Sequence, residues 1–218
     1  MSTKRKLNKQ YHFSVEGETE LWYLERLQKL ISEIDESTHT VSLKAFVQKD
    51  PLKHAKKLSP IVEIVYHICD YESNERCHNN QFIKTMDRMK EVTCQKNIDY
   101  KFGYSNLTFD LWIILHKQAL NHVISHRDKY LDPLNRAYNE QFENMDEYKK
   151  KANFERILRS ITLSDVINAV ARAKDIMRIN KNNDYTLHEY KGYKYYRENP
   201  SLLVWEPIEQ ILRDCGLM

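Results

Sequence analysis

Acidic residues gather at a predicted turn near the start of the chain, in the stretch HFSVEGETELWYLERL. Glu16 ends a short β-prone run, and Gly17, which follows it, is one of only 4 glycines in 218 residues. Glu20 lies four residues after Glu16, where it can point back towards the turn. Carboxylates that gather in this way repel one another, so they usually need a compensating positive charge. A divalent cation and the N-terminus of a helix are the two candidates.

A second acidic pair, Asp70 and Glu72, follows the run IVEIVYHIC, which is rich in β-branched residues. In an extended segment residues i and i+2 project to the same side, so this pair can approach a common ion. Together with Glu16 and Glu20 it offers hard oxygen ligands, which suit Mg²⁺ or Mn²⁺ better than zinc. Two such ions can activate a water and stabilise the leaving oxygen in phosphodiester hydrolysis. Ordinary helix capping and a solvated loop remain the alternative interpretation.

The elements that would position these acids alternate between strand and helix. The predicted strands cover residues 11–15, 41–47, 61–69 and 98–104. A helix capped by Thr19 is predicted through Ile31, and a second from Glu75 to Thr93. This alternation predicts an α/β fold with a mainly parallel sheet, in which ligands bind beyond the carboxyl ends of the strands.

The rest of the chain is predicted to be mainly helical. We expect a basic arm over residues 1–10, followed by a single domain over 11–218 that is sheet-rich over 11–106 and helix-rich over 107–218. The tyrosine-rich stretch 180–200 is expected to form a long loop. Residues 202–214 are expected to form the closing helix.

Composition narrows the function classes only in part. The net charge of +3 permits nucleic-acid binding without demanding it, because both signs are abundant. The 4 cysteines form no CxxC pair, which favours free thiols in a reducing cytoplasm. No apolar run approaches the roughly 20 residues that span a bilayer. There is no P-loop, so ATP hydrolysis would have to come from another chain.

Other residues could serve the same site. Asp110 could reach the metal from near Ser105 and Asn106, or it could cap a helix. His116 shares a helical face with Phe109, which favours a buried histidine over a catalytic base.

Two basic segments also have competing interpretations. The run from Lys149 to Lys151 is either a solvated face or a phosphate contact. The tyrosines of 185–196 could stack bases, pack onto the domain or form a partner surface, and the last is slightly favoured.

Three motifs resemble those of the RloB-like family. They are VEGETE at residues 15–20, DYE at 70–72 and SNLTFDLWIILH at 105–116. The lysine run 149–151, AVARAK and the closing NPSLLVWEPIEQIL fit the family pattern more loosely. Three residues depart from it: Glu72 replaces an aspartate, Asp110 replaces a glutamate, and Thr108 stands where the family often has Pro-Cys.

The resemblance implies a Toprim-like fold, a small parallel sheet with helices on both faces that is shared with topoisomerases, bacterial primases and OLD-family nucleases. It implies that Glu16, Glu20, Asp70 and Glu72 hold Mg²⁺ or Mn²⁺ for catalysis. It also implies a cytoplasmic toxic nuclease, acting on DNA or RNA in phage defence beside an ABC- or AAA-type ATPase. The alternative is a subunit that binds nucleic acid or the ATPase without cutting, and a homodimer remains open.

Overall fold

A computed structural model describes residues 6–218 of the chain, and its central element is a five-stranded sheet. The strand order is β2-β1-β3-β4-β7, with β1 to β4 parallel and β7 antiparallel to β4. The sheet strands are β1 Leu7–Val15, β2 His39–Val47, β3 Ile64–Tyr71, β4 Asp99–Asn106 and β7 Ser201–Leu202. The predicted α/β class with a mainly parallel sheet is therefore confirmed, and within it the first and third strands pair in parallel.

Helices cover both faces of this sheet. They are α1 Glu18–Ser32, α2 Pro51–Ala55, α3 Arg76–Lys96, α4 Asp110–Leu115, α5 Leu131–Tyr138, α6 Met145–Tyr148, α7 Lys151–Arg159, α8 Leu163–Asn182 and α9 Trp205–Asp214, with a 3₁₀ turn at Arg127–Tyr130. The second half is thus mainly helical, as predicted.

Strand β3 shows how the two faces of the sheet are filled. Tyr66 and Ile68 pack into a large core that also contains residues of α1, α4, α8 and α9. Val65, Cys69 and Tyr71 point the other way, into a second core with α3. Because successive side chains of a strand alternate between faces, a nearly continuous apolar run is what a strand covered on both sides requires.

The helix that follows β4 lies inside the larger core. Phe109, Trp112 and Ile113 are buried, as the helical spacing predicts. The Tyr23 ring packs edge-on against both Phe109 and Trp112. This contact fixes α1, and with it the acidic turn that precedes α1, against the helical half.

Three predictions about local structure need correction. Strand β1 begins at Leu7, so residues 7–10 of the predicted basic arm belong to the sheet, while residues 1–5 lie outside the described part. The N-cap of α1 is Gly17, without a side-chain cap, so Thr19 does not cap this helix. The predicted loop over 180–200 contains the end of α8 and a hairpin of β5 His188–Tyr190 and β6 Tyr193–Tyr195.

The hairpin packs onto the domain. The Tyr195 ring lies against Phe82, Tyr71 and Tyr104. Cross-strand pairing and aromatic burial therefore explain why this polar-looking stretch is ordered.

Two further properties concern the described residues as a whole. None of their helices is long and apolar enough to cross a membrane. None of the four cysteines forms a disulfide bond; they are Cys69, Cys77, Cys94 and Cys215.

Candidate functional site

A cleft opens at the edge of the sheet where the carboxyl ends of β1, β2 and β3 meet. Its volume is about 330 Å³. Its lining residues are Glu16, Gly17, Glu18, Thr19, Glu20, Trp22, Lys49, Asp70, Glu72, Thr108, Phe109 and Lys149. All four of the acids that sequence predicts to act together therefore lie on this cleft. Parallel strands bring their carboxyl ends to one edge, which is why residues 54 positions apart meet here.

Glu16 is held by two contacts. Its Oε2 accepts a hydrogen bond from the backbone amide of Asp70 at 2.9 Å. Its Oε1 lies 3.0 Å from the Lys49 ammonium nitrogen. The carboxylate therefore joins the end of β1 to the end of β3 and also has a cationic partner from the segment after β2.

Glu20 is folded back over the turn that precedes it. It is only 3% exposed, and its Oε2 accepts a hydrogen bond from Thr19 Oγ1 at 2.9 Å. A Cβ at position 17 would lie 3.1 Å from that same oxygen, so the glycine leaves room for the carboxylate. Burial, together with the charges of Glu16 and Asp110, raises the pKa of Glu20 above its ordinary value.

Asp70 is the third acid of the cleft. Burial raises its pKa well above the ordinary value, and the charges of Glu20, Glu16 and Asp110 raise it further. Its Oδ1 is enclosed and has no hydrogen-bond partner among residues 6–218. A buried carboxylate oxygen without a donor is costly, which marks this atom as a place where a cation would be stabilised.

Two lysines partly compensate the negative charge. Lys149 lies 3.2 Å from the Oδ2 of Asp110, a carboxylate that is 1% exposed. Burial lowers the pKa of Lys149, but the charges of Asp110, Asp70 and Glu20 outweigh it and raise the pKa overall. Burial lowers the pKa of Lys49, whereas the hydrogen bond to Glu16 raises it. The pKa of Lys49 is raised overall. Both ammonium groups are therefore charged at neutral pH.

Glu72 pairs with a histidine of α3. Its Oε2 lies 3.2 Å from His78 Nε2, and the other ring nitrogen of His78 lies 2.7 Å from Ser73 Oγ. Over the described part of the chain, the only group with three His, Cys, Asp or Glu ligand atoms within 4.8 Å of one another is Glu75, Cys77 and His78. The four predicted acids thus share a cleft, but no three of their oxygens meet that distance.

Two of the residues predicted to support the site are packed within the fold. Ser105 is fully buried and pairs with Asp70 across β3 and β4. The Asn106 amide donates to the carbonyls of Tyr196, Arg197 and Glu198 at 3.4, 2.9 and 3.2 Å. Asn106 therefore ties the end of β4 to the segment before β7 and does not line the acidic cleft.

His116 and Lys151 also lie away from the acids. His116 is 1% exposed, with Nδ1 at 2.9 Å from the Trp112 carbonyl and Nε2 at 3.2 Å from the Tyr23 hydroxyl. Burial lowers its pKa to about 4, which fits the buried neutral histidine that its helical face indicates. Lys151 is exposed at the start of α7, and its ammonium nitrogen lies 5.7 Å from the centre of the Trp22 ring.

Sequence reasoning missed Lys49 and His78. Lys49 follows the end of β2, so the rule that placed Glu16 and Asp70 at the same edge could have included it. His78 gave no signal, because its approach to Glu72 depends on how the loop before α3 turns.

Comparison with protein-family models decides the family. The family described as RloB-like protein matches residues 13–211. The chain belongs to the RloB-like family. This match covers every lining residue of the cleft in this RloB-like chain. Searches of curated proteins and of solved structures gave no match.

Proposed function

We propose that this RloB-like protein is a nuclease that depends on Mg²⁺ or Mn²⁺ and hydrolyses phosphodiester bonds in DNA or RNA, with tRNA among the RNA candidates. The observation that carries the proposal is the enclosed, unpartnered Oδ1 of Asp70. Asp70 lines the cleft together with Glu16 and Glu20, and its pKa is raised by burial and by both of these charges. Excess negative charge with oxygen donors is what a hard divalent cation binds.

The donor set fits such an ion. Glu16, Glu20 and Asp70 would hold it, and Glu72 would join them after leaving His78. A bound Mg²⁺ or Mn²⁺ supplies Lewis-acid polarisation of a phosphoryl oxygen and lowers the pKa of a bound water.

The two lysines of the cleft supply positive charge for binding the substrate. Lys49 and Lys149 carry ammonium groups on its wall, where they can neutralise a phosphate that enters. Asp110 orients Lys149 from a fully buried position. These residues bind and position the substrate, and the acids arrange the ion.

We further propose a wider role as the toxic effector of a cytoplasmic anti-phage defence system, which is what the motif resemblance implies. In this proposal the fold is Toprim-like, and an ABC- or AAA-type ATPase encoded nearby restrains or triggers the nuclease. A toxic nuclease needs such restraint, and this chain lacks a P-loop of its own.

The alternative is a subunit that binds nucleic acid or the ATPase without cutting. Two observations favour it: Glu16 already has a cationic partner in Lys49, and no three oxygens of the four acids lie within 4.8 Å of one another across residues 6–218. In that case the acids would hold only a structural ion.

The test is incubation of the protein with mixed DNA and RNA substrates in Mn²⁺ or in EDTA, with and without the neighbouring ATPase. We expect cleavage in Mn²⁺ that EDTA abolishes and that Asp70→Asn removes. Binding of substrate with no cleavage in either ionic condition, with the ATPase present, would establish the non-catalytic alternative.

A further inference from the structure

Three side chains that commonly bind metal ions meet where helix α3 begins. A carboxylate oxygen of Glu75, the Sγ of Cys77 and a ring nitrogen of His78 all lie within 4.8 Å of one another. Glu75 and Cys77 are exposed and His78 is partly exposed, so the cluster is open to solvent. It is separate from the acids proposed to bind magnesium or manganese, and it differs from them in carrying a sulfur and a nitrogen ligand.

The sulfur and the carboxylate already stand at the separation that a shared ion requires. Cys77 Sγ lies 3.8 Å from Glu75 Oε2. In a tetrahedral zinc site, bonds of about 2.3 Å to sulfur and about 2.1 Å to oxygen place these two ligand atoms about 3.6 Å apart. Glu75 is the N-cap of α3, and in the described part of the chain its side chain forms no capping hydrogen bond. This carboxylate is therefore free to act as a ligand.

The imidazole of His78 is held in a suitable orientation by two contacts. Its Nε2 lies 3.2 Å from Glu72 Oε2, and its Nδ1 lies 2.7 Å from Ser73 Oγ. When Nε2–H of the neutral ring donates to the Glu72 carboxylate, the lone pair is on Nδ1. Histidines that bind zinc commonly donate their second N–H to a carboxylate, which fixes the ring and its tautomer. Ser73 is partly exposed, so its hydroxyl can turn to solvent when an ion takes this lone pair.

We propose that Glu75, Cys77 and His78 bind one Zn²⁺ ion. Thiolate, imidazole and carboxylate are the ligand types of protein zinc sites, whereas Mg²⁺ and Mn²⁺ prefer oxygen ligands. Zinc takes four ligands in a tetrahedron, so a water fills the fourth position. Binding replaces the S–H bond of Cys77 by a bond between sulfur and zinc, and the proton passes to solvent.

Glu72 connects this zinc site to the acidic cleft. It lines the cleft, and its carboxylate contacts the Nε2 of His78. A zinc ion on Nδ1 makes Nε2–H a stronger donor, which holds Glu72 on His78. Zinc therefore opposes the movement of Glu72 towards an ion held by Glu16 and Asp70. This step rests on the proposed nuclease function, whereas zinc binding at Cys77 does not.

Cobalt spectroscopy of the whole chain tests zinc binding directly, because Co²⁺ enters zinc sites and gives a near-ultraviolet absorption band when a thiolate binds it. The protein is kept reduced with a phosphine, which leaves the metal available. We expect one Co²⁺ per chain to produce the band and one equivalent of Zn²⁺ to remove it, since zinc binds more tightly than cobalt. Cys77→Ser should abolish the band, and His78→Gln should weaken zinc binding about tenfold or more.

The matched control is Cys94→Ser. Cys94 is exposed and lies on the same helix as Cys77, but it is not part of the cluster. This variant should therefore keep the cobalt band and the wild-type affinity for zinc. A wild-type protein without the band, a band that persists in Cys77→Ser, or an equal loss in both cysteine variants would overturn the site.

Thermal melts test the connection through Glu72. The rise in Tm caused by Mn²⁺ is measured with and without one equivalent of Zn²⁺. We expect zinc to reduce this rise in the wild type and not in Cys77→Ser. An equal reduction in both proteins would show that zinc competes with Mn²⁺ inside the acidic cleft, and no reduction in either would show that Glu72 moves freely. Both of these outcomes would overturn the connection.

The two metal proposals fail in different ways. A thiolate band in a protein that cuts no nucleic acid and shows no Mn²⁺-induced rise in Tm would end the nuclease proposal and leave the zinc site in place. Cleavage that depends on Mn²⁺, in a protein whose cobalt spectrum lacks the thiolate band, would retain the nuclease and overturn the zinc site.

Discussion

The Oε2 of Glu16 accepts a hydrogen bond from the backbone amide of Asp70 at 2.9 Å, so a side chain at the end of β1 is fixed by the main chain of β3. This contact keeps the Glu16 carboxylate close to Asp70, whose pKa is raised by burial and by the charge of Glu16. It also limits how far Glu16 can move away from that charge. The fold therefore keeps these two carboxylates close together at the edge of the sheet, where they repel each other.

Glu16→Gln is expected to remove activity and leave the fold intact. The amide oxygen can still accept from Asp70, so packing is kept, but a neutral amide is a weaker metal ligand. We expect cleavage or cell killing to fall about 100-fold or more, and the rise in Tm caused by Mn²⁺ to disappear. Without metal the variant should melt at the wild-type temperature or slightly above it, because the repulsion with Asp70 is relieved and the lost ion pair involves a lysine that is 63% exposed.

The matched control for this variant is Glu18→Gln. Glu18 is exposed on the same turn and should change little. Full toxicity together with an unchanged Mn²⁺-induced shift in Glu16→Gln would show that the acidic turn serves only to begin a helix.

Asp70→Asn should change how stability depends on pH in the metal-free protein. Burial raises the pKa of Asp70 well above 3.8 in the folded state, so the folded chain binds more protons than the unfolded chain between 3.8 and that raised value. This carboxyl therefore destabilises the fold at neutral pH, and the penalty is lifted as pH falls through the raised pKa. We expect Asp70→Asn to be more stable than the wild type at pH 7 in EDTA, with the difference shrinking on acidification. If Asp70→Asn were more stable than the wild type by the same amount at every pH, the raised pKa of Asp70 would be contradicted.

His116 should contribute a pH dependence of the opposite sign. Burial lowers its pKa from 6.5 to about 4. The unfolded chain therefore binds more protons between these values, and this contribution to stability is lost as pH falls from 6.5 to about 4. His116→Gln should flatten that part of the stability curve in urea unfolding, while cleavage keeps its wild-type pH profile. A change in the pH profile of cleavage would instead assign His116 to the reaction.

Lys149 and Lys151 should differ although they are two residues apart. Lys149→Met leaves the buried Asp110 without its cation, and we expect a loss of about 1–3 kcal/mol of unfolding free energy, because the lysine side chain is itself 40% exposed. Lys151→Met removes an exposed ion pair with Glu155. We expect it to lower the free energy of unfolding by less than about 0.5 kcal/mol. Urea denaturation of both variants measures the difference, and equal losses would show that the contact with Asp110 is unimportant.

Much of the sheet could be predicted from sequence because its signals are local. The run 61–69 is apolar almost throughout, as a strand covered on both faces requires, although the strand itself lies at Ile64–Tyr71. From the parallel order it follows that Glu16 and Asp70 meet at one edge, and they do. Phe109 and Trp112 share a face at helical spacing and are buried together.

What could not be predicted depends on partners far apart in the chain. The hairpin at residues 188–195 is stabilised by aromatic contacts with Phe82 and Tyr104, and its own sequence is polar. The side chain of Asn106 is committed to three carbonyls about 90 residues away, which its motif does not reveal. Glu72 pairs with His78, and this contact depends on the conformation of the loop before α3, which the sequence does not reveal.

Strand β1 is joined to the last helix by a hydrogen bond from the Tyr11 hydroxyl to Asp214, 203 residues later in the chain. The segment that holds Asn106 in place, residues 196–198, is likewise made late. The ribosome must therefore synthesise the chain as far as residue 214 before the first strand gains this partner. Contacts between residues this far apart in sequence make folding slow compared with local helix formation, so β1 and the end of β4 gain their final partners late in synthesis.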